Sequence, residues 1–451
     1  MIRALRGQAA TLTDDPFLRP PRDCLTHHED ALILIEDGRV AAFGPYHLLR
    51  TRLPSGLEPA HYEDALILPG LVDTHVHYPQ LGMIGAYGAQ LLGWLERYTF
   101  PAEAAFADPA HARAVAGVFL REMLAAGTTT AAVYCTVHPH SVDALLEESE
   151  RFNTCLIAGK VLMDRNAPDA LLDTAGRAYD ESAALARRWH GRGRQLYAVT
   201  PRFAPCCTKA QLDAAGALLA DHPGLYLQTH LSESPAEVAW VRELFPARAG
   251  YLDVYAQAGL VGPRSVFGHA IHVTEDEFCT CHAAGAALSH CPTSNLFLGS
   301  GLFRLFDARD PRRPVRVGLG TDVGAGTTLS LVRTLGEAYK VAALRGDALD
   351  AVRAFHLATL GGAEALGLHR IGRIAAGTEA DLCVLDLRAT PLLAFRARAC
   401  ESIEELLFVL MTLGDERMVR ATYVAGEPVY DARAAEPFRY PEPRRRAEET
   451  T

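Results

Sequence analysis

The amino-acid sequence predicts an α/β fold: a (β/α)8 TIM-like barrel with a small β-sandwich domain formed from both chain ends. Three observations carry this. Eight short apolar runs, near residues 66–72, 128–134, 155–163, 196–203, 225–230, 265–269, 286–290 and 315–320, read as buried strands. Helical spacing fills several of the intervals, at 110–126, 210–219 and 237–244, and strands alternating with helices imply a parallel sheet. Finally, no Gly-x-Gly-x-x-Gly turn follows the first run, which weighs against a doubly wound sheet, whereas eight strand–helix units fit a closed barrel of about 250 residues.

The flanks of the barrel have strand character of another kind. Residues 31–44 form an apolar stretch interrupted by Asp37-Gly38, the signature of a tight hairpin. Near the other end, 377–387 and 421–430 read as further strands. The expected organisation is therefore a discontinuous β-sandwich domain at 1–67 and 376–435, a hydrolase barrel at 68–375, and a polar tail at 436–451 containing Arg444, Arg445, Arg446 and Glu448.

Composition narrows the class of partner. The chain has 451 residues, 49% of them hydrophobic, enough for a large core. Its net charge is −10 with no massed basic face, so the electrostatic footprint of a nucleic-acid binder is missing and a small, weakly charged substrate fits better. Ten cysteines scattered through the chain, among them Cys24, Cys135, Cys155, Cys383 and Cys400, suit buried thiols in a reducing compartment. A cytoplasmic location is expected. The first residues lack the apolar segment of a signal peptide, and no run approaches the ~18 apolar residues of a membrane span.

The chemistry lies at the expected strand ends. The run Leu68-Pro69-Gly70-Leu71-Val72-Asp73-Thr74-His75-Val76-His77 finishes in two imidazoles two residues apart, which share a face on a strand and can converge on one ion. The fifth run ends in Gln228-Thr229-His230, the sixth in Phe267-Gly268-His269, and the eighth in Gly318-Leu319-Gly320-Thr321-Asp322. Barrel active sites form at the carboxyl ends of the strands, so these four ends should surround one cavity and build a joint metal site. Glu233, three residues after His230, is placed to shuttle a proton; its alternative is to cap the helix that contains Pro235 and Glu237.

Together these segments resemble the amidohydrolase superfamily: the Pro-Gly-Leu-Val-Asp-Thr-His-Val-His strand, Thr229-His230-Leu231-Ser232-Glu233, Gly268-His269 and Gly320-Thr321-Asp322. The resemblance spans nearly the whole chain, flanking strands included. Within the superfamily the sequence is most similar to the guanine deaminases, on Gln80 in His77-Tyr78-Pro79-Gln80, the segment 91–101, Pro201-Arg202-Phe203, and Ser289-His290-Cys291-Pro292-Thr293-Ser294-Asn295.

The resemblance implies that His75, His77, His230 and Asp322 bind one zinc ion per chain, with His269 close to the metal-bound water. No lysine ends the fourth run, Ala198-Val199-Thr200-Pro201-Arg202, so a mononuclear site is expected, with Lys160 near the end of the third run as the one lysine to check. Zinc lowers the pKa of bound water from about 15.7 to about 7. Asp322 would accept the water's proton, His269 would orient the nucleophile, and Glu233 would protonate the ring nitrogen beside the carbon that loses its amine. Substrate choice would rest on Gln80, Arg202 and Phe203, with His230, Glu233 and Asp322 completing the contacts. An arginine fork can meet the carbonyl oxygen and N7 of guanine, where adenine presents an amine. The implied activity is hydrolysis of guanine to xanthine and ammonia in purine catabolism, by a homodimer. Another purine deaminase or a triazine chlorohydrolase shares the metal set but not the Arg202–Gln80 pair, and a non-catalytic scaffold would be expected to lose ligands.

Two further patterns are set aside. His61-Tyr62-Glu63 has half of the cytidine-deaminase zinc signature, but no Pro-Cys-x-x-Cys accompanies it. Cys279-Thr280-Cys281-His282 falls in an expected helix and lacks a second cysteine pair.

Overall fold

A computed structural model describes residues 2–88 and 90–434; the expected polar tail at 436–451 lies outside the described residues. Four strands precede the barrel: β1 (Ile2–Leu12), β2 (Leu25–Glu36), β3 (Arg39–Pro45) and β4 (Ala60–Pro69). The barrel region holds β5 (Leu71–His77), β6 (Thr128–Tyr134), β7 (Cys155–Gly159), β8 (Val161–Leu162), β9 (Leu196–Pro201), β10 (Tyr226–Leu231), β11 (Ser265–His269), β12 (Ala287–His290) and β13 (Arg316–Leu319). Three more follow it: β14 (Leu382–Asp386), β15 (Val419–Val424) and β16 (Glu427–Asp431).

Eight strands, in the order β5-β6-β7-β9-β10-β11-β12-β13, pair in parallel, and β8 adds a short pairing to β9. Every residue of β5, β6 and β7 is buried, which is why these strands read as continuous apolar runs rather than alternating ones. The seam between the first and last strands is spanned just beyond β13. Asp322 donates its N–H to the carbonyl of His75 and His77 donates to the carbonyl of Val323, each at 2.8 Å. The backbone that carries the expected ligands is thus also the backbone that brings the barrel round to itself. The expected helices are present as Pro109–Ala125, Lys209–Asp221 and Pro235–Leu244.

The seven strands of the two chain ends form one sheet in the order β16-β15-β14-β4-β1-β2-β3. Both Asp37 (φ 49°) and Gly38 (φ 79°) are left-handed, as a two-residue hairpin between β2 and β3 requires. Gly38 accepts from Ala380 N–H and Ala380 accepts from Gly426 N–H, both at 2.9 Å, so the sheet doubles over and its two halves share one apolar cluster that includes Leu5, Ile33, Ile35, Ile67, Val384 and Tyr423. The helices Pro391–Ala397 and Ile403–Leu413 intervene between β14 and β15 and pack into the barrel's own cluster through Leu393, Leu407 and Leu410.

Two strand positions differ from the expectation. The apolar run at 66–72 is not one barrel strand: Pro69, which has no N–H to give a ladder, and Gly70 divide it, so that Leu66–Leu68 belong to β4 and the barrel strand begins at Leu71. A side chain at position 70 would meet Thr129 Oγ1 at 2.3 Å, so only glycine passes this corner. The run at 155–163 is likewise broken at Lys160 into β7 and β8. Among the described residues no helix is long and apolar enough to cross a membrane.

Candidate metal and active site

His75 and His77 leave β5 on one face, and β10, β11 and the segment after β13 bring His230, His269 and Asp322 against them; all are at the carboxyl end of the barrel. His77 Nε2 lies 3.3 Å from His75 Nε2 and 3.2 Å from His230 Nε2. Asp322 Oδ1 is 3.3 Å from Nε2 of both His75 and His77. Donor atoms held 2.0–2.2 Å from one ion in a tetrahedron stand roughly 3.3–3.6 Å apart, so this spacing is what a single tetrahedral centre needs. His75, His230, His269 and Asp322 also each offer a donor atom within 4.8 Å of the others, which puts His269 at the margin of the same centre.

The tautomers of His230 and His269 are fixed from behind. His230 Nδ1 is 2.6 Å from the Arg202 carbonyl oxygen, a pure acceptor, so Nδ1 carries the proton and Nε2 presents a bare lone pair to the cluster. His269 Nδ1 is 2.8 Å from Asn295 Oδ1, an arrangement that likewise leaves Nε2 facing inward. Burial lowers the pKa of His75, pushes that of His77 down to about 3, and with the neighbouring imidazoles holds His230 well below the usual range. Burial alone would raise Asp322, but His75 and His77 beside it hold its carboxyl well below the ordinary range. Neutral imidazoles and an ionised carboxylate are the donor set a divalent cation takes. Backbone geometry is unusual at the same points: φ is +50° at Ser232, +68° at His269 and +50° at Asp322, non-glycine residues in the left-handed region.

Glu233 is not the cap of the next helix. Ser234 is, in a capping box with Glu237, whose carboxylate also accepts from the Glu233 N–H at 2.8 Å. The Glu233 side chain is left for the cavity, where Oε1 accepts from Ser300 Oγ at 3.1 Å and Oε2 lies 3.5 Å from His269 Nε2. Burial pushes its pKa up to about 7, against the pull of His269 and with the support of Glu237.

Above the cluster, Gln80, Trp94, Arg202, Phe203 and Leu298 line one cavity with His77, His230, Glu233, His269 and Asp322. Every residue expected at the site from sequence therefore belongs to the His/Asp cluster or borders this cavity. Trp94, within the segment 91–101, is buried in the cavity wall, with its indole N–H donated to the Ala86 carbonyl at 3.1 Å. Lys160 is buried in a pair with Asp173, with Glu181 at 3.2 Å, and so is committed elsewhere. Cys279 is exposed and Cys281 buried on the helix Glu275–Ala284, while His282 bonds the Pro314 carbonyl, so that cluster does not converge.

Sequence reasoning missed Glu103 and Ser300, and gave Asn295 no role. Glu103, on the short helix Phe100–Ala104, receives Arg202 Nη1 at 2.6 Å and Gln80 Nε2 at 3.0 Å. Asn295 was legible only as part of the 289–295 motif; nothing local marks Glu103 or Ser300.

Comparison with known proteins agrees with this geometry. The amidohydrolase family model matches residues 66–429. The guanine deaminase of Escherichia coli (strain K12) is 48% identical over 434 residues, covering 95% of this chain and 98% of that protein. A solved structure of E. coli guanine deaminase superposes with a TM-score of 0.93 at 47% identity, covering 95% of this chain and all of that one (100%). A guanine deaminase from C. acetobutylicum, solved with guanine bound in its active site, superposes with a TM-score of 0.85 at 27% identity over 95% of this chain and 100% of that one. The chain belongs to the amidohydrolase family.

Proposed function

We propose that this protein is a zinc-dependent guanine deaminase, hydrolysing guanine to xanthine and ammonia. The observation that carries this is the meeting, in one buried cavity, of a tetrahedrally spaced His/Asp donor set, the free carboxyl of Glu233, and the Arg202–Gln80 pair. The extent of the similarity to guanine deaminases supports the same reading.

His75, His77, His230 and Asp322 would hold the zinc, whose contribution when bound is a water made acidic enough to attack at neutral pH. Guanine enters with its carbonyl oxygen and N7 toward Arg202, Gln80 beside them and Phe203 against the ring. Asp322, facing the cluster through Oδ1 and His269 through Oδ2 at 3.8 Å, takes the proton of the attacking water. His269, held by Asn295, orients that water. Glu233 delivers a proton to the ring nitrogen next to the carbon bearing the amine, which becomes tetrahedral on attack. The proton held by Asp322 then passes to the amine, ammonia leaves, and the carbon closes to the carbonyl of xanthine as its hydroxyl proton returns to Glu233. The reading makes the protein a cytoplasmic homodimer of purine catabolism, with 68–375 as the catalytic barrel; light scattering tests the dimer.

The functional test is ammonia release from a panel of guanine, 8-oxoguanine, adenine, cytosine and a chlorotriazine. Guanine turned over far ahead of the rest is expected. Turnover of another member with guanine untouched would overturn the assignment.

A further inference from the structure

Arg202 does not face its cavity alone. Its Nη1 donates to both carboxylate oxygens of Glu103, at 2.7 and 2.6 Å, and Gln80 Nε2 donates to one of them at 3.0 Å. Glu103 is 1% exposed, and Gln80 and Arg202 3% each. Gln80 and Arg202 line the cavity, whereas Glu103 stands behind them. One carboxylate outside the substrate cavity therefore ties down two side chains that read the substrate.

The first consequence is geometric. A guanidinium has five N–H donors in a rigid fork, and with Nη1 committed to Glu103, Nη2 and Nε are the edge left for a ligand's acceptors. The second is electrostatic. The buried Arg202–Glu103 pair is close to neutral, so this wall offers hydrogen-bond donors without net positive charge. The other ionisable groups bordering the cavity are His77, His230, His269, Glu233 and Asp322. At this wall an anionic ligand would gain little from Arg202 and would meet Glu103 behind it, where water does not screen the charge, while a cation held by the His/Asp donor set and offset in part by Asp322 acts alike whatever stands at position 103.

We propose that Glu103 is a specificity-determining residue, which by orienting Arg202 and Gln80 and cancelling the arginine's charge restricts the cavity to uncharged oxopurines and disfavours anionic ones. This rests on the guanine reading above, and it bears on turnover. Replacing the amine of guanine by a carbonyl gives xanthine, a stronger acid that ionises at a pH where guanine is still neutral. A cavity that rejects the anion sheds its product while keeping its substrate.

The test is product inhibition by xanthine across its ionisation, in the holoenzyme and in Glu103→Gln and Glu103→Asp, with guanine turnover measured first. In the wild type the xanthine Ki should rise as xanthine ionises. Glu103→Gln should bind the anion roughly tenfold or more tightly relative to wild type, the effect of removing one nearby charge from a shielded site. Glu103→Asp keeps the charge but shortens its reach, so it should retain the wild-type xanthine profile while raising KM for guanine. Equal xanthine profiles in wild type and Glu103→Gln would overturn the proposal. Should Glu103→Gln not fold, the wild-type profile decides, since a Ki that falls as xanthine ionises contradicts it. Absence of guanine turnover in the wild type would instead remove the functional reading, and the proposal with it.

Discussion

His77 Nε2 stands 3.2 Å from Nε2 of His230, and the His230 ring is held in that direction by the bond between its Nδ1 and the Arg202 carbonyl. At this distance the two rings can share one cation between them. Metal removal by a chelator should therefore abolish turnover and also lower the melting temperature, because the ion would tie β5, β10 and the seam after β13 to one point. A loss of several degrees is expected, recovered on adding zinc back. An unchanged melt would contradict a shared centre.

Glu233 should be separable from the metal. Its carboxyl contacts Ser300 and His269 rather than His75 or His77. Glu233→Gln should lower kcat by about 10²- to 10⁴-fold, the range for a single acid–base group, with metal content per chain unchanged in elemental analysis. Ser300→Ala removes one hydrogen bond to the same carboxyl, worth about 0.5–1.5 kcal/mol, and should lower kcat by at most roughly tenfold.

Arg202 should answer to shape as well as charge. Arg202→Lys keeps one positive charge but cannot bond Glu103 and two ligand acceptors from one plane. We expect kcat/KM for guanine to fall at least about tenfold, mostly through KM, in steady-state kinetics. An unchanged KM would remove Arg202 from substrate recognition.

A separate prediction concerns acid stability. His356, on the helix Ala351–Ala358, is 2% exposed, its Nδ1 has no partner among the described residues, and burial pushes its pKa from 6.5 down to about 4 despite Asp15 at 3.8 Å. The folded pKa lies below the unfolded one, so the unfolded chain binds more protons between these values. This contribution is whole above the unfolded pKa near 6.5 and is lost as pH falls toward about 4, by an order of 3 kcal/mol in all. Urea unfolding across that window should show the slope in the wild type and a flatter one in His356→Gln.

The site was legible where chemistry coincides with position. His230, His269 and Asp322 each end or follow an apolar run, and a parallel barrel delivers such ends to one place whatever the helices between them do. Glu103 was not legible, because it meets Arg202 across 99 residues of sequence from a helix with no chemical signature of its own. Ser300 is hidden in the same way, 67 residues from Glu233. The first barrel strand was misplaced because Ala65 to Val72 is apolar throughout, although it serves two sheets. The break at Pro69-Gly70 depends on Thr129, which the local pattern does not contain.

Joint action of one metal centre and the Arg202–Gln80–Glu233 cavity on guanine is tested most directly by measuring ammonia release from guanine alongside the metal content of the same preparation. Guanine converted to xanthine mole for mole with ammonia, at about one zinc per chain and with adenine untouched, is the predicted result. Zinc bound at that level with guanine left unchanged would contradict the account of the cavity, and active protein without any metal would contradict the account of the centre.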